Sequence, residues 1–219
     1  ESVRREVDAA GELVNSSLAR TVAPLLADDR IIGVLGGDHS IPFAAIHAAS
    51  AHEPLGILHI DAHADLRVGY EGFRWSHASI MHNVLEHCPG VQRLVQVGIR
   101  DYSEGELRAM QASKGRVVTH FDAEWHRRRF AGVSFDQILQ EMLSALPDRV
   151  WVSLDIDGLD PSLCPNTGTP VPGGLSFAEV AHMLAQLVAS GRRVVGFDLV
   201  EVAPGDDEWD ANVAARLLY

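Results

Sequence analysis

Leu55-Gly-Ile-Leu-His-Ile-Asp-Ala-His-Ala-Asp65 is an apolar run that ends in two aspartates and a histidine at alternate positions. The run at 55–60 has the length and composition of a buried strand. Residues i, i+2 and i+4 of a strand point to the same side. If the strand continues to Asp65, the side chains of Asp61, His63 and Asp65 therefore converge.

Two further strings place polar side chains after apolar runs. Residues 150–154 lead into Asp155-Ile-Asp157, and residues 31–35 lead into Gly36-Gly-Asp-His39. Four aspartates brought together without cations would repel one another and be driven to protonate, whereas two divalent ions balance their charge. The sequence thus predicts a site for two metal ions, with the candidate ligands His39, Asp61, His63, Asp65, Asp155 and Asp157.

The ligand set also indicates the kind of ion. Oxygen-rich ligands with two imidazoles and no thiolate favour a hard ion such as Mn²⁺ over a structural Zn²⁺, although affinity order alone leaves Zn²⁺, Ni²⁺ and Co²⁺ open. Paired ions deprotonate a water to give a hydroxide nucleophile near neutral pH. The predicted chemistry is hydrolysis.

Strand-like and helix-like stretches alternate along the chain. The predicted strands are residues 31–35, 55–60, 94–99, 117–121, 150–156 and 194–202. The predicted helices are residues 2–27 with Gly11 as a candidate break, 41–52, 77–88, 104–113, 135–146 and 177–190. This alternation predicts an α/β fold in which helices cover both faces of a mostly parallel sheet. Ligands of such sheets bind outside the carboxyl ends of the strands, where the three strings fall.

Length and composition limit the classes of protein. The 219 residues are 47% hydrophobic, which predicts one domain over residues 1–219. The net charge of −12 argues against a nucleic-acid partner. Cys88 and Cys164 are predicted to be free thiols in a reducing compartment, so we expect a cytoplasmic protein. The sequence lacks the apolar run of about 18 residues that spans a membrane. Because the chain opens inside a helix-like stretch, we expect that an N-terminal segment precedes Glu1.

The strings together resemble those of the ureohydrolases, the family of arginase, agmatinase and formimidoylglutamase. The matching strings are Gly36-Gly-Asp-His-Ser40, Asp61-Ala-His-Ala-Asp65, Ser153-Leu-Asp-Ile-Asp-Gly-Leu-Asp-Pro161 and Gly196-Phe-Asp-Leu-Val-Glu-Val202. The resemblance implies an arginase-like three-layer α/β/α fold and two Mn²⁺ per chain. It also implies attack of a metal-bridging hydroxide on a guanidinium or formimino carbon, and assembly as a homotrimer or homohexamer.

The resemblance implies roles for single residues. One ion would be held by His39, Asp61, Asp65 and Asp155, and the other by Asp61, His63, Asp155 and Asp157. Asp61 and Asp155 would bridge the two ions. His77 matches the family's proton-shuttling histidine, although Ala78 follows it where the family usually has glycine. Glu201 matches the glutamate that holds the cationic head group of the substrate.

The substrate tail is left open. Residues 66–76 do not resemble the stretch with which arginases grip arginine, and residues 201–219 resemble agmatinase-type members. Arg67 and Arg74 would suit a carboxylate-bearing substrate, such as a guanidino acid or formiminoglutamate, whereas Glu71 would suit an amine. A single-zinc amine deacetylase and a catalytically silent relative are the remaining classes.

Three polar residues near the strings have simpler explanations. His59 lies deep in the apolar run, so a buried core histidine is predicted. Asp38 is predicted to form a turn or to orient a ligand, and Asp160, before Pro161, to form a turn.

Overall fold

The computed structural model describes residues 2–51 and 53–219, and within them it forms one six-stranded parallel sheet between two layers of helices. The strands are β1 (Ile32–Leu35), β2 (Leu55–Ile60), β3 (Val91–Ile99), β4 (Val117–Phe121), β5 (Arg149–Asp155) and β6 (Arg193–Val200). The helices are α1 (Ser2–Ala27), α2 (Phe43–Ser50), α3 (Ile80–His87), α4 (Glu104–Ala112), α5 (Asp122–Phe130), α6 (Phe135–Ser144), α7 (Phe177–Ala189) and α8 (Trp209–Leu218). The predicted α/β fold is confirmed, but His52, the predicted end of the second helix, lies outside the described residues.

Each face of the sheet has its own apolar core. Residues of α1 to α4 pack on one face, and residues of α5 to α8 pack on the other. In β5, Val150 and Val152 belong to the second core and Trp151 belongs to the first. Because both faces are covered, all six residues of β2 are buried, which explains the continuous apolar run in the sequence.

The strand order brings the three strings together. The order is β1-β6-β5-β2-β3-β4, so the chain moves outward from β2 in one direction and outward from β5 in the other. A crevice therefore opens between the carboxyl ends of β2 and β5, the position at which doubly wound sheets bind ligands. The Asp61 and Asp155 strings follow these two strands.

Helix α1 corrects one prediction. It runs without a break through Gly11. A Cβ atom at Gly11 would lie 2.9 Å from the Cβ atom of Trp75. The glycine therefore allows the loop that carries Trp75 to pack closely on the helix, and it does not end the helix.

Helix starts follow local signals where the signals are present. The capping boxes at Ser134 and Ser176 are formed, and Ser103 with Glu106 forms a third. Helices α5 and α8 were not predicted, and neither has a side-chain cap at its first turn.

Both cysteines are buried and free. Within the described ranges, we find no helix with the length and apolar character needed to cross a membrane.

Candidate metal centre

His39 lies at the centre of a buried group of carboxylates. Gly36 and Gly37 follow β1 with φ angles of 84° and 68°, a backbone conformation that residues other than glycine rarely adopt. His39 Nδ1 lies 3.0 Å from Asp61 Oδ2, and 3.2 Å from both Asp65 Oδ2 and Asp155 Oδ2. Among residues 2–51 and 53–219, this buried nitrogen has no hydrogen-bond partner. A nitrogen surrounded by three carboxylate oxygens fits the ligand shell of a cation.

A second group shares Asp61 with the first. His63 Nδ1 lies 3.1 Å from Asp157 Oδ2 and 3.4 Å from Asp61 Oδ1. Asp61 therefore offers Oδ2 to the first group and Oδ1 to the second, as a bridging carboxylate would. Asp155 contacts the first group through Oδ2, while its Oδ1 accepts a hydrogen bond from the Asp157 N–H at 2.9 Å. All six predicted ligands thus lie in one cluster.

The ligands converge through turns, since β2 does not continue to Asp65 and the alternation of a strand therefore does not bring them together. Strand β2 ends at Ile60, the His63 N–H donates to Asp61 Oδ1, and Asp65 has a φ of 54°. Asp157 lies in a 3-10 helix, Ile156–Gly158, directly after β5. The strand edges bring the strings together, and polar turns aim the side chains.

Two contacts hold the ligand loops against each other. The Ala62 N–H donates to Asp157 Oδ1 at 3.1 Å. A Cβ atom at Gly158 would lie 2.8 Å from Asp61 N, closer than side chains approach a backbone nitrogen. Glycine at this position therefore allows the Asp61 and Asp157 loops to pack together.

When no cations are bound, some side chains of the cluster, such as Asp155 and His63, have raised pKa values and bind protons instead. Burial raises the pKa of Asp61, but its contacts with His59, His39 and His63 outweigh burial and hold that pKa well below its usual range. Burial and the charges of Asp61 and Asp157 raise the pKa of Asp155 well above its usual value. Burial lowers the pKa of His63, but hydrogen bonds to Asp157 and Asp61 raise it overall, to about 11. The site therefore requires positive charge, which divalent ions supply in place of protons.

A hydrogen-bond chain behind His39 determines which ring nitrogen faces the cluster. Trp151 Nε1 donates to Asp198 Oδ2 at 2.6 Å, and the Ser153 hydroxyl donates to Asp198 Oδ1 at 2.9 Å. The Ser153 oxygen is then free to accept from His39 Nε2, 2.9 Å away. With its proton on Nε2, His39 presents the Nδ1 lone pair to the carboxylate cluster. Asp198 was not predicted as a site residue, although an aspartate inside an apolar strand was a signal.

Glu201 lies directly after β6, between the loop of His39 and the end of β5. Its φ is 61°, and its Oε1 accepts a hydrogen bond from the His39 N–H at 2.9 Å. The Thr167 hydroxyl donates to the Glu201 carbonyl at 2.9 Å. Burial raises the pKa of Glu201, while the contacts with His39 and the charge of His77 oppose the rise.

His77 lines the cavity next to the cluster. It begins a 3-10 helix, His77–Ser79, which is capped by the Ser76 side chain. Its ring lies edge-on to Tyr70, with 5.5 Å between the ring centroids. The cavity has a volume of about 110 Å³. It is lined by His63, Asp65, Arg67, Tyr70, His77, Ala78, Asp101, Glu106 and Thr169.

The charged residues considered for the substrate tail occupy different positions. Arg67 Nε lies 3.7 Å from Glu106 Oε2, and its guanidinium lies 5.0 Å from the centre of the Tyr70 ring. Arg74 stacks on Trp75 and contacts His87, outside the cavity lining. Asp101, by contrast, lines the cavity with a side chain that is 61% exposed.

The three simpler explanations hold in part. Asp38 Oδ1 accepts from the Ser40 N–H at 3.0 Å, and Asp160 Oδ1 accepts from the Ser162 N–H at 2.9 Å, so both residues form turns as predicted. His59 is fully buried as predicted. It also contacts Asp61, with 2.8 Å between His59 Nε2 and Asp61 Oδ2, a contact that the sequence analysis missed.

Arg100 is a further residue that the sequence analysis missed. Its guanidinium donates hydrogen bonds to three backbone carbonyls on two segments, with distances of 2.7 Å to Asp157 O, 3.1 Å to Leu159 O and 2.9 Å to Val171 O. It thereby ties the ligand loop after β5 to the end of β3.

We expect Arg100→Lys to destabilise the protein, because an ammonium cannot reach this set of carbonyls with the planar geometry of a guanidinium. Hydrogen bonds to charged groups contribute about 1.5–3 kcal/mol each, so a loss of about 2 kcal/mol in the free energy of unfolding is expected. Chemical denaturation measures it. Arg108→Lys, the same change at a side chain that is 65% exposed, is the control. Equal stability of both variants would contradict the role of Arg100.

Comparisons with known proteins agree with this site and fold. The arginase family model matches residues 4–219. The N(1)-aminopropylagmatine ureohydrolase of Thermus thermophilus is 43% identical over 188 residues, which cover 84% of this chain and 59% of that protein. The agmatinase of Pyrococcus horikoshii is 37% identical over 188 residues, with coverages of 84% and 59%.

A solved structure shares the architecture. The structure of arginase from Bacillus subtilis superposes with a TM-score of 0.79 at 28% identity, over 93% of this chain and 74% of that one. This chain spans about three-fifths of the length of the curated relatives it matches. The family model covers nearly the whole chain, and the chain therefore belongs to the arginase family.

Proposed function

We propose that this chain carries the catalytic centre of a two-metal ureohydrolase that cleaves an agmatine-like guanidino compound and releases urea and an amine. One observation carries the proposal: His39 Nδ1 faces three carboxylate oxygens, and one of these carboxylates, Asp61, is shared with the His63 group.

The ligand assignment follows the two groups. His39, Asp61, Asp65 and Asp155 would hold one ion. Asp61, His63 and Asp157 would hold the other, and the family resemblance adds Asp155 to this second set. Two Mn²⁺ ions, when bound, lower the pKa of a water molecule so that it serves as the nucleophile. The carboxylate-rich, thiolate-free ligand set supports Mn²⁺.

Glu201 binds the head group in this proposal. Its Oε1 already accepts the His39 N–H, which anchors the carboxylate beside the cluster. Its second oxygen is available to accept an N–H of a guanidinium, and such charge-assisted pairs are stronger than neutral hydrogen bonds. Glu201 thereby orients the guanidinium carbon towards the metal ligands.

The charges at the cavity favour a cationic tail. Glu106 and the Tyr70 ring already engage the Arg67 guanidinium, and Arg74 points to other partners. Asp101, whose Oδ2 lies 3.8 Å from His63 Nε2, is an exposed carboxylate in the cavity lining. These observations support an amine such as agmatine over the carboxylate-bearing alternatives, guanidino acids and formiminoglutamate.

Metal analysis and a substrate panel test the proposal together. After loading with Mn²⁺, we expect two ions per chain and urea release from agmatine in preference to arginine or guanidinobutyrate. One tightly bound zinc without a second site would contradict the two-metal centre and favour the deacetylase class. Two bound ions without product from any guanidino or formimino compound would favour a silent relative.

His77 is proposed to move protons between the cavity and solvent, delivering one to the leaving amine nitrogen. We expect His77→Ala to lower turnover by roughly 10²- to 10⁴-fold, the usual contribution of a general acid or base, while both ions stay bound. Steady-state kinetics and elemental analysis measure the two effects. His82→Ala, on the neighbouring helix α3, is the matched control. Turnover and a pH profile unchanged from wild type would refute the role.

Two further expectations stay predictions from the sequence. These are assembly as a homotrimer or homohexamer, and a cytoplasmic location.

A further inference from the structure

A row of polar side chains crosses the sheet next to the metal cluster. Thr119, Gln96, His59, Ser153 and Asp198 are consecutive register partners on β4, β3, β2, β5 and β6. Four of them are at most 1% exposed. His59 and Ser153 each precede a predicted bridging ligand by two residues, so the row lies just before the bridging ligands at the carboxyl ends of β2 and β5.

Hydrogen-bond chemistry admits one orientation of the Gln96 amide. Gln96 Nε2 lies 2.7 Å from the Ala64 carbonyl oxygen, which can only accept, so this atom must be the amide nitrogen. Gln96 Oε1 accepts from the Thr119 hydroxyl at 2.9 Å. The second hydrogen of Nε2 is left for His59 Nδ1, 3.0 Å away. His59 Nδ1 must therefore act as an acceptor.

This contact determines the tautomer of His59. Because Nδ1 accepts, the ring proton of the neutral imidazole is on Nε2. Nε2 lies 2.8 Å from Asp61 Oδ2 and donates to it. Both ring nitrogens are then engaged, so His59 has no lone pair for a metal ion, although it lies within reach of His39, Asp61 and Asp65.

We propose that Gln96 is a positioning residue of the metal centre: it sets the Nε2–H tautomer of His59, and His59 in turn holds the bridging carboxylate of Asp61 in its metal-binding orientation. The same amide grips the Ala64 carbonyl, between the ligands His63 and Asp65. This inference rests on the metal centre proposed above. It adds Thr119, Gln96 and His59, none of them a ligand, as residues that determine how tightly the centre binds its ions.

The two ends of the polar row have separate tasks. Asp198 and Ser153 orient His39, whereas Thr119, Gln96 and His59 orient Asp61. The first of these hydrogen-bond chains ends on His39, and the second ends on Asp61. A loss at Gln96 should thus weaken metal binding without disturbing the contact between His39 and Ser153.

Gln96→Met tests the proposal, because methionine is of similar length and cannot donate or accept as the amide does. We expect the affinity for Mn²⁺, measured by isothermal titration, to fall roughly 10- to 100-fold, as is typical for residues that orient metal ligands. Saturating Mn²⁺ should restore most of kcat. The control is Gln92→Met, the same change at an exposed position of β3. Thr119→Val, at the far end of the chain, should give a smaller loss.

A spectroscopic measurement needs no variant. In the wild-type protein, two-bond ¹H–¹⁵N correlations of the imidazoles should show His59 protonated at Nε2. Protonation at Nδ1 would overturn the proposal.

Unchanged Mn²⁺ affinity in Gln96→Met, with only a lower melting temperature of the metal-free protein, would also overturn it by assigning Gln96 a purely structural role. Should that variant not fold, the Thr119→Val affinity and the wild-type spectrum decide. Failure of the wild-type protein to bind Mn²⁺ would instead refute the metal centre itself, and with it both proposals.

Discussion

Asp155→Ala is expected to abolish urea release and to reduce the bound metal below two ions per chain. Asp155 Oδ2 lies 3.2 Å from His39 Nδ1, and its Oδ1 accepts the Asp157 N–H. Its removal therefore takes a ligand from the first ion and also frees the turn that aims Asp157 at the second. Because we propose that Asp155 bridges, both ions should bind more weakly at once.

Elemental analysis and kinetics on the same preparation measure the two effects of Asp155→Ala. Asp136→Ala, in which an aspartate that is 71% exposed is removed from α6, is the control and should keep both ions and full turnover. If Asp155→Ala retained both metals and near-normal turnover, the ligand assignment would be wrong.

Glu201→Gln is expected to damage turnover severely while metal content stays intact. Glutamine preserves the shape of the side chain, and its carbonyl oxygen can still accept the His39 N–H. It lacks the charge that pairs with a guanidinium in the bound state, so the strongest part of the head-group interaction is lost.

An alternative role for Glu201 makes a different prediction. If the residue only anchors the His39 loop, the change should lower the melting temperature more than it lowers kcat/KM. A melting curve and steady-state kinetics on this variant separate the two roles, and Glu208→Gln, at an exposed position, is the control. A large loss of stability with kcat/KM preserved would exclude substrate binding by Glu201.

The fold was predictable because its signals are local. The run at 55–60 is continuously apolar because both faces of β2 are buried, and Ser134 and Ser176 start helices through contacts three residues away. Helix α5 was missed because it begins at Asp122, directly after β4, without a side-chain cap. Gly11 was misread because its contact, Trp75, is distant in the sequence.

In the candidate site, too, some features followed from local sequence signals and others did not. His39, Asp61 and Asp155 were recognised because each follows an apolar run, and parallel strands place such positions at one edge of the sheet. The convergence of Asp61, His63 and Asp65, by contrast, does not come from the alternation of a continued strand. Strand β2 ends at Ile60, and the turns after it aim the ligands.

The sequence by itself determined the strands to within three residues at each end, and the residue types that gather near their carboxyl ends, since apolar runs and capping boxes act over a few residues. Only the tertiary structure decided the tautomers of His39 and His59, the partner of Arg67 and the exposure of Asp101 in the cavity. Each of these depends on residues from other segments, such as Ser153 for His39 and Gln96 for His59. Strand register and packing bring these partners within 3.0 Å of each histidine. The hydrophobic pattern of a single segment carries no information about strand register or about packing between segments.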